Sequence, residues 1–559
     1  MAEIFFSIIF LTIIVLISGI ILSNYIFKID ENTLEIYELG FIGIIFIAIL
    51  SFFVHFFFPL NEIVNGTIFI IIGSIFLLSN KKNFIFFKLI NLKIALGSLV
   101  IIFIMTLKSN PNEDYGYYHL PYIVNLISEK IIFGLSNLQV NFAWNSSWLN
   151  FSSMFYFPFL KLKGTQLSNS ILFLFVIYFF LKEIFNSNNS QKLSKFYLII
   201  LSYYFIIKFS RISEHGFDLP ANFFLLISFY YFIKLFEETN INLIKKNFIF
   251  IYLFVLFSFT IKISTFSGIV LIFSSTLYFL KQKTDIKCLG KPFLFFSLFG
   301  IFWLTQQFIY SGCLSPFFKF TCVETLSWYN EGLSDSVTGA TGAVNKSYNN
   351  YLGPLSENEY LKNFNWVTTW FNRNKIELIE HLIAFLVPIA IFVFFNLKNN
   401  KIKSKNKNYK INEKKLFYFS SFLFIFLGLL VWFLKSPVIR FGVPYLFTLC
   451  FFLIFFIIKY FSLRIEKGIF LVLIISLFFN ISKNLNRVKN AKNIEYWPEV
   501  LNVQFSSIEK GGFIINYPDT KNNFHKLKYC WSIPFICHMG KGNNLNFEKK
   551  NGYIFIEKD

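Results

Sequence analysis

The sequence predicts an all-α polytopic membrane protein with a small C-terminal α+β domain, and three observations carry that prediction. The 559 residues are 55% hydrophobic and 21% aromatic but only 15% charged, against roughly 25% charged residues in an ordinary soluble domain. Mean hydropathy is +0.56. Long apolar runs recur from Ile4 almost to Ser482, each close to the ~20 residues a helix needs to cross a hydrocarbon core. They are continuous rather than alternating with period two, which argues against a β-barrel.

About fourteen spans are expected, at 4-27, 39-60, 63-80, 94-107, 167-185, 196-210, 221-236, 248-261, 265-280, 292-311, 378-397, 416-434, 441-459 and 468-482. The first is read as a span, not a signal peptide, because Met1-Ala2-Glu3 gives no basic leader and the apolar run is too long. The formal net charge of +21 would suggest nucleic acid in a soluble protein. Here the lysines lie in loops between apolar runs, so they report orientation instead. Lys81, Lys82, Lys88 and Lys93, the Lys245-Lys246 pair, Lys281, Lys283, Lys287 and Lys291, and the basic stretch 398-415 all fall in alternate loops. Those loops are expected in the cytoplasm. Segments 108-166, 211-220, 312-377, 435-440 and the tail 483-559 are then expected outside the plasma (inner) membrane, giving a transmembrane domain 1-482 and an extracytoplasmic domain 483-559.

In that tail, "GGFIINYPDT" and "NGYIFIEKD" alternate apolar and polar residues beside turn-forming dipeptides, so they read as strands. Four of the six cysteines lie in predicted outside segments: Cys313 and Cys322 in "GCLSPFFKFTC", Cys530 and Cys537 in "CWSIPFIC". An oxidising compartment favours disulfides. Cys313 with Cys322 and Cys530 with Cys537 are the preferred pairs, and cross-pairing between loop and tail is the alternative. A zinc site is disfavoured by the spacing, although His538 is nearby.

Unusual chemistry also concentrates in the outside segments. "NEDYGYYHLPYIVNLI" follows the fourth span and brings Glu113, Asp114, Tyr118 and His119 together. It reads as a polar start to an interfacial amphipathic helix with Pro121 in its first turns. The bland interpretation is that Asp114 caps this helix; the functional one is a carboxylate poised as a general base. "RISEHGFDLPANF" packs Arg211, His215 and Asp218 into a short connection, where boundary charges point to function. "KSPVIRFGVPY" places Lys435 and Arg440 at adjoining span ends, and an arginine fork suits a phosphate. Trp366 and Trp370 are candidates either for stacking on sugars or for anchoring their loop. The Gly/Ser/Asn stretch 336-354 lacks the Gly-Lys-Ser/Thr ending of a nucleotide-binding loop.

Together these features resemble the GT-C superfamily of integral-membrane glycosyltransferases, with many spans and carboxylates in a large outside loop. "DYGYYHLP" followed by "GLSNLQVNFAWNSSW", and the motifs "GCLSPFFKFTC" and "CWSIPFIC", are similar to those of a group of bacterial multi-pass proteins with a GT-C-like core. The resemblance implies an inverting transfer of sugar from a polyprenyl-phosphate donor to an envelope or other extracytoplasmic glycan, lipid or protein acceptor. By that likeness Asp114, with Glu113 beside it, is catalytic. Arg211 or Arg440 would hold the departing phosphate, and Tyr118, His119, His215, Asp218 and Lys435 would line the substrate site. No cofactor is required, although Asp114, Glu113 and Asp218 are the residues that would converge on Mg²⁺ or Mn²⁺. One departure is that three additional spans precede the acidic loop.

The competing reading is a polytopic glycan polymerase or ligase, or a lipid-glycan transporter, without GT-C chemistry. A transporter would carry polar groups at mid-membrane on broken helices related by an internal repeat. No such repeat is present, and Lys262 and His55 are the main charges near apolar runs.

Overall fold

The computed structural model describes residues 1–29, 33–78, 90–109, 112–185, 193–208, 212, 215–282, 290–398, 412–461, 468–492, 495–519, 525–540, 542 and 544–558. It is a helical multi-pass membrane protein. Helices occupy each of the fourteen predicted segments, and among the described residues nine are long and apolar enough to cross a membrane. Shorter apolar helices run over Glu62–Leu78 and Leu92–Thr106. The last bundle helix, Gly468–Asn490, continues beyond the predicted end at 482. Arg487 explains the extension, since its guanidinium donates to the carbonyls of Leu107 and Met105 at 2.6 and 2.9 Å and so satisfies the end of the Leu92–Thr106 helix.

In lipid, helix association rests on close packing more than on the hydrophobic effect. Helices Ala2–Leu22 and Ile36–His55 cross where Gly19 meets Leu39 and Gly43 meets Val15. A Cβ on Gly43 would lie 1.9 Å from the Val15 carbonyl oxygen, a backbone atom that no rotamer change can move aside. Gly43→Leu is therefore expected to cost about 3 kcal/mol or more, seen as a clearly lower melting temperature in detergent; an unchanged melting temperature would disprove this close crossing.

The two ends of the bundle differ. At one end Glu38, fully buried, pairs with Lys246 at 2.9 Å and accepts from Tyr231 at 2.6 Å, and Lys281 pairs with Glu413 at 3.0 Å. At the other end the first long loop, the 312–366 loop, the 435–440 turn and the tail come together. Asn137 donates to the carbonyls of Trp328 and Ile556 at 3.0 and 2.8 Å, joining all three of loop, loop and tail. The predicted segments thus share one face.

The tail forms two antiparallel hairpins, β1 (Phe505–Lys510) with β2 (Phe513–Pro518) and β3 (Leu545–Lys550) with β4 (Tyr553–Lys558). Gly511-Gly512 and Asn551-Gly552 make the two-residue turns, all four at positive φ, as tight hairpins of this hand require. The second hairpin docks on the bundle: Phe133 exchanges backbone hydrogen bonds of 2.9 Å with Ile554 and Ile556, and its ring stacks on Phe555 at 4.4 Å. Cys313–Cys322 and Cys530–Cys537 are disulfide-bonded, the preferred pairing; Cys288 lies outside the described residues.

Candidate active site

Asp114 precedes a π-helical turn, Tyr115–His119, that runs into the helix Leu120–Ser128 with Pro121 at its start. π turns recur at functional sites because they re-aim side chains within a helix. The Asp114 side chain makes no capping hydrogen bond, so the cap interpretation is not met. Nor does the following helix lie in the interface: Leu120 to Leu126 are all buried, because this short helix is enclosed by neighbouring helices on its polar side as well.

Instead Asp114 reaches across the loop face. Its Oδ2 lies 3.5 Å from Arg440 Nη2, while Arg440 Nε donates to Asp218 Oδ2 at 2.7 Å. The other oxygen of Asp218 accepts from Lys262 Nζ. Each charge comes from the end of a different element. Asp218 opens the helix Asp218–Glu237, Lys262 is the single residue between the spans Ile241–Ile261 and Ile263–Lys281, and Arg440 lies in the first turn of Ile439–Phe461. Asn222, one turn below Asp218, donates to the Arg440 carbonyl at 2.8 Å and fixes that last helix start. Phe441 lies under both cations, 3.3 Å from Lys262 Nζ and 5.4 Å from the Arg440 guanidinium carbon to the ring centroid, in cation–π geometry.

Two carboxylates and two cations thus form a neutral square with a depth gradient. Side-chain exposure falls from 47% at Arg440 through 32% at Asp114 and 26% at Asp218 to 17% at Lys262. Arg440 and Asp114 are at the mouth and Lys262 is the floor. Burial raises the Asp114 pKa above the usual carboxylate value, with Arg440 opposing and Asp218 reinforcing. Burial lowers Lys262 to about 8 despite the pull of Asp218.

The remaining predicted residues distribute around this square. His119 is buried between Tyr118 at 4.3 Å and Phe217 at 5.0 Å, and burial lowers it to about 3, so it is a neutral imidazole. Burial also keeps the Tyr118 phenol protonated. His215 lies behind the site, stacked on Tyr115 at 5.1 Å and within 2.9 Å of the Thr165 hydroxyl, and is likewise neutral. Lys435 is exposed at the end of Lys414–Lys435 and does not join the square. Arg211 lies outside the described residues. Trp366 and Trp370 are buried against each other and Phe433, which makes them loop anchors rather than a platform for sugar. Glu113 accepts from the Tyr529 hydroxyl of the tail instead of facing the other two carboxylates. Among the described residues no three metal-ligating side chains gather.

Lys262 is the participant that reasoning from sequence missed. It reads as an isolated charge in an apolar run, yet it falls in the short gap between two predicted spans, on the same side as Asp218 and Arg440. "GLSNLQVNFAWNSSW" supplies the scaffold: Gln139 donates to the Tyr117 carbonyl at 3.2 Å, and Ser146 donates to the Ile261 carbonyl at 3.0 Å. It therefore braces both the π turn and the Lys262 corner.

The tail clamps the acidic loop. Trp531 N donates to the Gly116 carbonyl at 3.0 Å, Tyr115 meets the Trp531 ring edge-on at 5.7 Å, and Tyr529 packs on Tyr117 at 5.0 Å. The Cys530–Cys537 disulfide closes the loop that carries Trp531. A Cβ on Gly116 would lie 2.1 Å from the Trp531 ring, and Trp531, 1% exposed, has nowhere to go. Gly116→Val is expected to undock the tail, raising limited-proteolysis cleavage after residue 490 several-fold; wild-type protection in this variant would refute the clamp.

The fold and site define a multi-pass membrane protein with a compact four-charge centre at one end of its bundle. The chain belongs to the family described as "Domain of unknown function (DUF8201)", whose model matches residues 1–447. That range contains Asp114, Asp218, Lys262 and Arg440 but not the tail. No curated protein and no solved structure matches the chain.

Proposed function

We propose that the protein is a GT-C-like inverting glycosyltransferase that moves a sugar from a polyprenyl-phosphate donor to a glycan, lipid or protein acceptor. In this reading all fourteen helical segments span the plasma membrane, and the four-charge face is extracytoplasmic. One observation carries the proposal: two carboxylates from separate elements converge on Arg440 and Lys262 at the mouth of the bundle, where a base and a pair of phosphate-binding cations are needed together.

The donor phosphate would take over the guanidinium fork of Arg440 and the ammonium of Lys262, which now face Asp114 and Asp218. Released from Arg440, Asp114 accepts the proton of the acceptor hydroxyl as that oxygen attacks the anomeric carbon. The bond from that carbon to the phosphate oxygen breaks with its electron pair leaving on oxygen, and the two cations stabilise the developing charge. Asp218 positions both cations. Neutral His119 and Tyr118 line the wall beside them. Glu113, the third carboxylate that a divalent ion would draw on, is engaged with Tyr529 instead. A transporter reading fits less well, since these charges sit at a helix-end surface rather than at mid-membrane.

The test is turnover by purified protein in nanodiscs, given a panel of polyprenyl-phosphate sugars and a crude envelope extract as acceptor. Release of free polyprenyl phosphate, quantified by mass spectrometry, is the expected result. No release across the panel would remove support for the donor class.

A further inference from the structure

Beside the turn that delivers Arg440, two further cations, Lys435 at its start and Lys346 on the neighbouring loop, have no carboxylate partner among the described residues. Lys435 ends the helix Lys414–Lys435, and Ser436 beside it accepts from Asn345 at 2.8 Å. Lys346 follows Asn345. One hydrogen bond therefore ties together the residues adjoining two lysines far apart in sequence. The arrangement is pinned further. Trp370 donates to the Pro437 carbonyl and Trp432 to the Val438 carbonyl, both at 2.7 Å, and Tyr360 donates to the Lys346 carbonyl at 2.7 Å. Lys346 Nζ sits 4.9 Å from the centroid of the buried Trp366 ring.

Neither lysine forms an ion pair among the described residues. Two carboxylates on neighbouring elements are committed elsewhere. Glu359 closes a capping box on Ser356 at 2.8 Å, and Glu380 pairs with Lys208 at 3.2 Å. Burial and the Lys435 charge both lower the Lys346 pKa. Two like charges on backbone segments pinned to each other raise the local positive potential and favour an anion between them. The Arg440 fork, by contrast, is already occupied by two carboxylates.

We propose that Lys346 and Lys435 form a separate phosphate-binding site at the bilayer surface. Lysine binds phosphate as a point charge. Lys435 caps an apolar helix long enough to cross the membrane, and Trp366, Trp370 and Trp432 surround the turn, so the site lies at headgroup depth. The ligand chemistry is an anionic phosphate ester or free phosphate. This site is independent of the glycosyl-transfer reading, because it would bind its anion whether or not the square is catalytic.

The experiment is native mass spectrometry of the full chain in maltoside detergent, titrated separately with phosphatidylglycerol, with phosphatidylcholine and with inorganic phosphate at constant ionic strength. For the Lys346→Gln/Lys435→Gln double variant, affinity is expected to fall at least tenfold. A fall with phosphatidylglycerol identifies a lipid headgroup, and one with inorganic phosphate alone identifies a soluble source. The Lys346→Arg/Lys435→Arg variant should retain binding, and melting temperatures without ligand show that each variant is folded. Equal affinity of wild type and the Gln variant for all three probes, or loss in the Arg variant, would overturn the site.

Discussion

Replacing Asp114 with Asn is expected to lower transfer by about 10²–10⁴-fold, the range general-base catalysis supplies, with little change in KM for the donor. The side chain keeps its shape, and Arg440 keeps its 2.7 Å contact with Asp218, so the bundle should remain folded. Loss of the base leaves the phosphate cations untouched, and for that reason kcat should carry the effect. In the wild type, activity should also fall on the acid side of a pKa above the ordinary carboxylate range, because burial makes Asp114 hold its proton more tightly. A mutant that turns over like wild type would take Asp114 out of the mechanism, and Asp218→Asn would be the next variant to assay.

The second large effect is expected at Lys262. Lys262→Gln removes the deeper of the two cations and leaves Asp218 with Arg440 alone. Breaking a mostly buried pair costs about 1–2 kcal/mol at this partial exposure, and loss of a charged hydrogen bond to phosphate should raise the donor KM about 10- to 100-fold. The pH dependence supplies an independent check. Lys262 is lowered to about 8 and is cationic only below that value, so donor affinity in the wild type should weaken as pH rises through about 8. By linkage, phosphate binding near that pH should take up a proton. Calorimetry in two buffers of different ionisation enthalpy measures that uptake. Absence of uptake in the wild type would show that Lys262 does not titrate on binding, and its persistence in Lys262→Gln would show that another group does.

Much of the fold was legible because lipid imposes a simple demand: long apolar stretches must be helical, and every predicted segment contains a helix. In the tail, alternation beside Gly-Gly and Asn-Gly predicts the strands that the structure shows as β2 and β4, while their partners β1 and β3 carry no such signal. The apolar face of the helix Leu120–Ser128 predicts an interfacial position but says nothing about what covers its polar side, which the fold buries. Asp114, Asp218 and Arg440 could be named from their density at span ends, but their convergence could not. It depends on how four helix ends meet, which no local pattern encodes. Lys262 reads in the sequence only as a charge beside apolar runs, since an isolated lysine in "FTIKIST" joins the site only once the next span is known to begin immediately after it. The tail's grip on Gly116 was equally hidden, being a contact between residues more than 400 positions apart.

The distribution of the four charges along the chain also sets an order of assembly. Asp114 is made and threaded to the membrane surface long before its partner Arg440, which lies 326 residues later. Asp218 and Lys262, 44 positions apart, can pair as soon as their hairpin of spans has inserted. Until the Ile439–Phe461 helix arrives, the growing protein holds two carboxylates against one lysine, and the excess acid has to stay hydrated. The electrostatic balance of the site is therefore completed only by one of the last helices in the chain.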